Sequence, residues 1–156
     1  MTSAAGGKGL PRPSQLLTTG LTLPQPSIWA QANRGIPALG TTHADDFHGA
    51  VPCTRPMKNE EIQGSYEAET GRVIVETFAG KDMMEIPAVL VASHGPFVWE
   101  RNAAAAVKKS VILEEVARMA LYSETIAGKK LSEMNPVLLD KHYLRKHGKD
   151  AYYGQK

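Results

Sequence analysis

The most regular pattern of apolar and polar positions lies in NAAAAVKKSVILEEVARMALYSETIAG, residues 102–128, where Leu113, Val116, Ala117 and Ala120 share one helical face. Asn102 stands before the run as a capping acceptor, and Gly128 follows it where a left-handed residue would stop a helix. NPVLLDKHYLRKHG predicts a second helix, opened by Pro136 in its first turn and closed by Gly148. IPAVLVASHG reads differently. Its unbroken Val89, Leu90 and Val91 predict a buried strand that runs into His94, then Gly95-Pro96, then a new helix start.

Two stretches are less regular. In KNEEIQGSYEAETGRVIVETFAGKD, residues 72–78 have strand propensity, yet Ile62, Tyr66, Val73 and Phe78 approximate a helical face behind Asn59 as cap, and a helix is favoured. SIWAQANRGIPALGTTHADDFHGAVPCT alternates short apolar pieces with Gly and Pro, which predicts strands and ordered loops rather than long helices. Residues 1–27 hold four Gly, four Pro and no acidic residue, with no sustained period. Such a stretch buries too little apolar surface to offset its ordering entropy, so disorder is expected there and a folded unit over 28–156. The mix of strands and helices predicts an α/β fold.

Composition narrows the class. A chain of 156 residues, 42% hydrophobic and 22% charged, is that of one ordinary globular domain. The sequence contains no apolar run long enough to span a bilayer, so no membrane role is expected. A net charge of +2 is too small to argue for a nucleic-acid partner. Cys53 is the single cysteine and cannot form an internal disulfide, which fits a reducing, cytoplasmic setting.

Candidate chemistry gathers at three places. His94 sits at a strand end, where α/β proteins hold ligands and metals, but a catalytic zinc needs about three protein donors. No two of His43, His48, His94, His142 and His147 form an HxH or HxxxH pair. His142 and His147 are about 140° apart around a helix. His94 is thus either a metal ligand or a hydrogen-bonded loop histidine. GTTHADDFHG, residues 40–49, crowds two threonines, two histidines and two carboxylates between glycines, so Asp45 or Asp46 is a candidate acid or base, with a solvated turn as the alternative. KHYLRKHGKDAYYGQ brings His142, Arg145, Lys146, Tyr152 and Tyr153 together as phosphate contacts or proton donors, or as a solvated helix with an aromatic tail.

The segments IWAQ, IPALGTTHADDFHGAVPCTR, ETGRVIVETF, VLVASHGPFVWERNAAAAV, ILEEVA and LLDKHYLRKHGKDAYYGQ resemble the L-ribulose-5-phosphate 4-epimerases of the class II aldolase/epimerase family. TTHAD and KHYLRKHG…AYYG are the most specific, and they favour the epimerases over their sugar-phosphate aldolase relatives. The resemblance implies a three-layer class II aldolase/adducin-head-like fold with a mainly antiparallel central sheet. It also implies a homotetramer acting on a phosphorylated ketopentose in cytoplasmic pentose or arabinose catabolism. The implied chemistry is a zinc-assisted retro-aldol and aldol sequence that breaks and remakes the C3–C4 bond, interconverting L-ribulose 5-phosphate and D-xylulose 5-phosphate. An enediolate forms near neutral pH only when a Lewis acid spreads its charge. By the same resemblance His94 is a ligand of Zn2+ or another divalent metal, and Asp45 and Tyr153 are the acid/base pair, the tyrosine serving a neighbouring subunit. His142, Arg145, Thr41 and Thr42 fall on residues that support the site.

The family pattern also carries phosphate-binding loops, an acidic residue and a His-x-His pair ahead of IWAQ, where this chain reads TLPQPSIWAQ. One of three metal histidines is therefore expected here, in an N-terminally incomplete domain behind unrelated sequence, as a shifted reading frame or a different gene start would produce. An incomplete domain is expected to leave a sheet edge and part of the 103–127 helix face open. A non-catalytic, adducin-like interaction domain is the alternative function.

Overall fold

The computed structural model describes residues 16–17 and 23–154. Among the described residues three strands form one antiparallel sheet: β1 (Leu16–Leu17), β2 (Ala88–Val91) and β3 (Gly95–Trp99), in the order β1-β3-β2. Leu16 pairs with Trp99, and Ala88 through Val91 pair with Val98 back to Gly95. Six helices among the described residues accompany them: α1 (Pro24–Gln31), α2 (Thr41–Ala44), α3 (Asn59–Gln63), α4 (Tyr66–Thr77), α5 (Ala103–Ala127) and α6 (Pro136–His147).

Strand alternation explains the unbroken apolar run. Ala88, Leu90 and Val98 point into one core with Trp29 and Ala30 of α1 and Leu113, Val116, Ala117 and Ala120 of α5. Val89, Val91 and Trp99 point the other way, onto Ile74 of α4 and the following Phe78. Helices thus cover both faces of the central sheet, a three-layer α/β arrangement with every side chain of β2 buried. Phe78 meets Trp99 edge to face, and the Trp99 Nε1–H donates to the Met83 carbonyl at 2.9 Å. In the other layer the Trp29 Nε1–H donates to the Ala117 carbonyl at 3.1 Å.

Both long C-terminal helices form as their caps predict. The Asn102 side chain accepts from Ala105 N, and Gly128 takes φ 64°. Asn135 accepts from Val137 N ahead of Pro136, and the helix ends at Gly148.

Several expectations are corrected. The chain after Pro96 is β3 rather than a helix: Ser93 at φ 61° and Gly95 at φ 143° reverse it, and the alternating burial of Phe97, Val98 and Trp99 serves both cores. The stretch after Met57 holds two helices. Lys58, not Asn59, is the cap residue of α3, and its backbone N–H donates to Glu61 Oε2 at 2.7 Å. The chain breaks at Gly64, so Ile62 and Tyr66 are exposed while Val73 and Phe78 are buried. The segment expected to form strands and ordered loops rather than long helices carries the eight-residue α1, whose first turn, Pro24–Ser27, belongs to the stretch expected to be disordered. Most of residues 1–27 lies outside the described residues. Leu23 offers no capping side chain; Glu114 of α5 accepts instead from Gln25 N at 3.2 Å. The outer edge of β2 is partly paired, since Leu90 N donates to Pro52 O and Thr54 N to Leu90 O.

Candidate active site

The TTHAD segment folds as the four-residue α2, and the two carboxylates after it diverge. Asp45 turns toward α6, where His142 Nδ1 donates to its Oδ1 at 3.1 Å and Arg145 Nη2 lies 3.2 Å from both carboxylate oxygens. The Asp45 backbone carbonyl accepts from His147 Nε2 at 2.8 Å. Arg145 in turn lies over the Tyr153 ring, 4.3 Å from its centroid. The C-terminal turn makes this possible: Tyr152 N and Tyr153 N both donate to the Arg145 carbonyl. The Arg145 Nε–H is buried with no acceptor among the described residues.

Asp46 turns inward. Its Oδ1 accepts from Lys109 Nζ at 2.8 Å, its backbone carbonyl from the same group at 3.2 Å, and its Oδ2 from Lys146 at 3.1 Å. Burial alone would raise its pKa, but the charges and hydrogen bonds of Lys109 and Lys146 outweigh that and hold it below the ordinary carboxylate value. His43 is 3% exposed and donates through Nε2 to the Gly49 carbonyl at 2.7 Å. Burial pushes its pKa down to about 4, so it is a neutral, structural histidine near pH 7. Of the two threonines, Thr41 accepts Asp45 N through its backbone carbonyl, and Thr42 is exposed.

Behind these groups a stack of rings fastens α6 to the loop. Tyr143 lies between His48, parallel at 4.4 Å, and His147 at 4.5 Å, while His48 Nε2 donates to Asp140 Oδ1 at 2.7 Å. Burial, and after it the surrounding carboxylates, push the Tyr143 phenol up to about 12. A cleft of about 570 Å3 opens beside this stack, lined among others by Lys109, Lys146, His147, Glu100 and Arg101.

The structure therefore brings Asp45, His142, Arg145 and Tyr153 together from positions about a hundred residues apart. It does not bring His94 to them. His94 is exposed in the turn between β2 and β3, with Phe97 as its ring neighbour. That turn is held from below: Ser93 N donates to Ala30 O, Ala92 N donates to Thr54 Oγ1, and a Cβ on Gly95 would lie 3.2 Å from Ser27 Oγ. Among the described residues no three His, Cys, Asp or Glu side chains converge on a point that could hold a metal. One exposed imidazole does not fit a zinc centre alone. Cys53 is half-buried and its thiol pKa is raised by burial, which suits a small apolar residue better than a nucleophile.

Sequence reasoning missed Lys109 and Tyr143, and weighed His147 only as half of a metal-ligand pair with His142. Lys109 left a signal, because it falls among Ala106, Ser110 and Leu113 on the buried face of α5, where a lysine needs a buried counter-charge. Tyr143 and His147 left none beyond their place on α6.

No helix among the described residues is long and apolar enough to cross a membrane. Residues 24–121 match the class II aldolase and adducin N-terminal domain family, so His142, Arg145 and Tyr153 lie beyond the matched segment. Among solved structures, one described as L-fuculose 1-phosphate aldolase is similar at 15% identity with a TM-score of 0.53. The similarity covers 76% of this chain and 51% of that one, so the chain spans about half its length. With well over half of its residues inside the domain match, and with helices packed on both faces of a small antiparallel sheet, this chain belongs to the class II aldolase and adducin domain family.

Proposed function

We propose that this chain serves the reaction of an L-ribulose-5-phosphate 4-epimerase, supplying the proton carriers for inversion at C4 of a ketopentose phosphate. The observation that carries this reading is the pairing of Asp45 with His142 and Arg145, with Tyr153 stacked on the same arginine. Inversion at C4 needs one group to take the hydroxyl proton as C3–C4 breaks and another to return a proton to the oxygen on the opposite face. Asp45 is the carboxylate acceptor and Tyr153 the phenolic donor. Arg145 positions both and retains a buried N–H with no partner among the described residues. His142 fixes the carboxylate from a second side. By the family pattern the reading has Tyr153 serve a neighbouring subunit of a homo-oligomer, while within one chain His94 stands apart from the Asp45 cluster. His94 is read as a metal-ligand position. The described residues bring no second donor to it, and the steps assigned above are those of the protein's own acids and bases.

The test is conversion of L-ribulose 5-phosphate to D-xylulose 5-phosphate by the purified chain, with and without added zinc. Conversion is expected, with Asp45→Asn slower by a factor of roughly 10² to 10⁴ and unchanged in far-ultraviolet dichroism. Release of glycolaldehyde phosphate without epimer would identify an aldolase instead. No turnover under either condition would leave the non-catalytic, adducin-like role.

A further inference from the structure

A second recess shares no residue with the group of Asp45, His142, Arg145 and Tyr153. It is a cavity of about 90 Å3 between α5 and the chain leading into α2, walled by Pro37, Leu39, Val116 and Met119, with His43 and Ser123 supplying polar side chains. Val116 is buried, whereas Met119 and Ser123 are partly exposed, so the cavity reaches solvent on their side. No Asp, Glu, Lys or Arg among the described residues lines it.

His43 gives this cavity its chemistry. The Gly49 carbonyl can only accept, so the Nε2 bonded to it at 2.7 Å carries the ring's hydrogen. Nδ1 of the neutral ring is then a bare acceptor, and it is buried with no partner among the described residues. Gly49 does not line the cavity, so Nδ1 is the ring atom left to receive a donor from it. A buried acceptor without a donor is destabilising, and native proteins leave few of them. Water does not answer this well. A cavity of about 90 Å3 is the share of about three waters, each needing two to four polar partners, and the side chains here offer two polar groups. An ion fares worse, because a cation would be desolvated with no counter-charge and an anion would face a lone pair. An uncharged molecule with one hydroxyl on an apolar body satisfies both the walls and the acceptor. Since a cavity of about 150 Å3 encloses benzene, one of about 90 Å3 encloses three or four non-hydrogen atoms.

We propose that this cavity binds a small uncharged alcohol, its O–H donated to His43 Nδ1 and its carbon chain laid against Val116 and Met119. The site goes beyond the epimerase reading and uses none of the residues assigned to it. So few atoms limit the affinity, and a dissociation constant on the order of millimolar is expected.

Nuclear magnetic resonance titration of the full chain near pH 7 with 2-propanol and with acetone tests this. The two probes share one carbon skeleton, but acetone has no hydrogen to donate. With 2-propanol, saturable shifts are expected at the amides of Gly40, His43 and Ser123 and at the His43 Nδ1 resonance. Acetone is expected to bind about tenfold more weakly, the factor that one buried hydrogen bond is worth. Ser123→Leu, which sets a larger side chain into the cavity from a helical position where leucine is favoured, is expected to abolish the shifts. Far-ultraviolet dichroism checks that this variant folds, and the comparison of the two probes on the parent chain stands without it. Equal affinity for 2-propanol and acetone overturns the proposal, because Nδ1 then selects nothing. Shifts that never saturate mean that water alone occupies the cavity, and they overturn it too. Shifts that survive in folded Ser123→Leu place the alcohol elsewhere and have the same force.

Discussion

His43 shows how a residue type suited to catalysis can be fixed as structure. Its ring is buried, its Nε2–H is committed to the Gly49 carbonyl, and its pKa falls from 6.5 to about 4. An unfolded chain binds a proton at this histidine below about pH 6.5, whereas the folded chain resists it until about pH 4. The neutral ring's contribution is therefore complete above 6.5 and lost as pH falls toward 4, a change of roughly 3 kcal/mol. Urea unfolding at several pH values should show that slope in the parent chain and a flatter one in His43→Gln. Equal slopes in the two would remove His43 as the cause. Composition and spacing could mark the 40–49 loop as chemical, but could not divide its residues. His43, Asp46 and Lys109 became structural, and Asp45 accessible, only through the way α2 lies against α5 and α6.

Among the elements, those with local signals were legible. Asn102 and Gly128 bound α5, and Pro136 and Gly148 bound α6, because caps act through bonds within a few residues. The hairpin of β2 and β3 was not, since its turn is held by Ala30 and Thr54, whose proximity no local pattern reveals. Nor was the break between α3 and α4 at Gly64. The turn after α6 carries a prediction of its own. A Cβ on Gly148 would lie 2.5 Å from the Leu144 carbonyl oxygen, a backbone atom that no rotamer change can move. Gly148→Ala should therefore displace the tail and lift Tyr153 from Arg145 while the cores stay intact. The expected readout is loss of near-ultraviolet tyrosine dichroism, with a melting temperature lowered by less than about 5 °C. An unaltered tyrosine signal would show that the tail is not held through this turn.

For the whole molecule, the shared sheet ties the two cores together, and each core contains one of the two tryptophans. Trp29 reports the α1 and α5 layer and Trp99 the α4 layer. Because Ala88, Leu90 and Val98 alternate with Val89, Val91 and Trp99 along the same two strands, neither layer can lose its packing without stripping the other's floor. Trp29→Phe and Trp99→Phe, each leaving one fluorophore, should show fluorescence and far-ultraviolet dichroism transitions that coincide within each variant in urea. Separated transitions would mean that the layers melt independently. At this scale the fold class was legible from the mix of patterns, but the layers' contacts come from residues far apart in sequence.

The divergence of Asp45 and Asp46 has a consequence for the history of such a chain. One carboxylate is bonded to Lys109 in the interior and the other to α6 at a more open site. On the proton-carrier role proposed for Asp45, a lineage that gave up turnover would lose that constraint on Asp45 while Asp46 stayed held by its interior lysine. The same short segment can therefore descend with its architecture preserved and its chemistry erased.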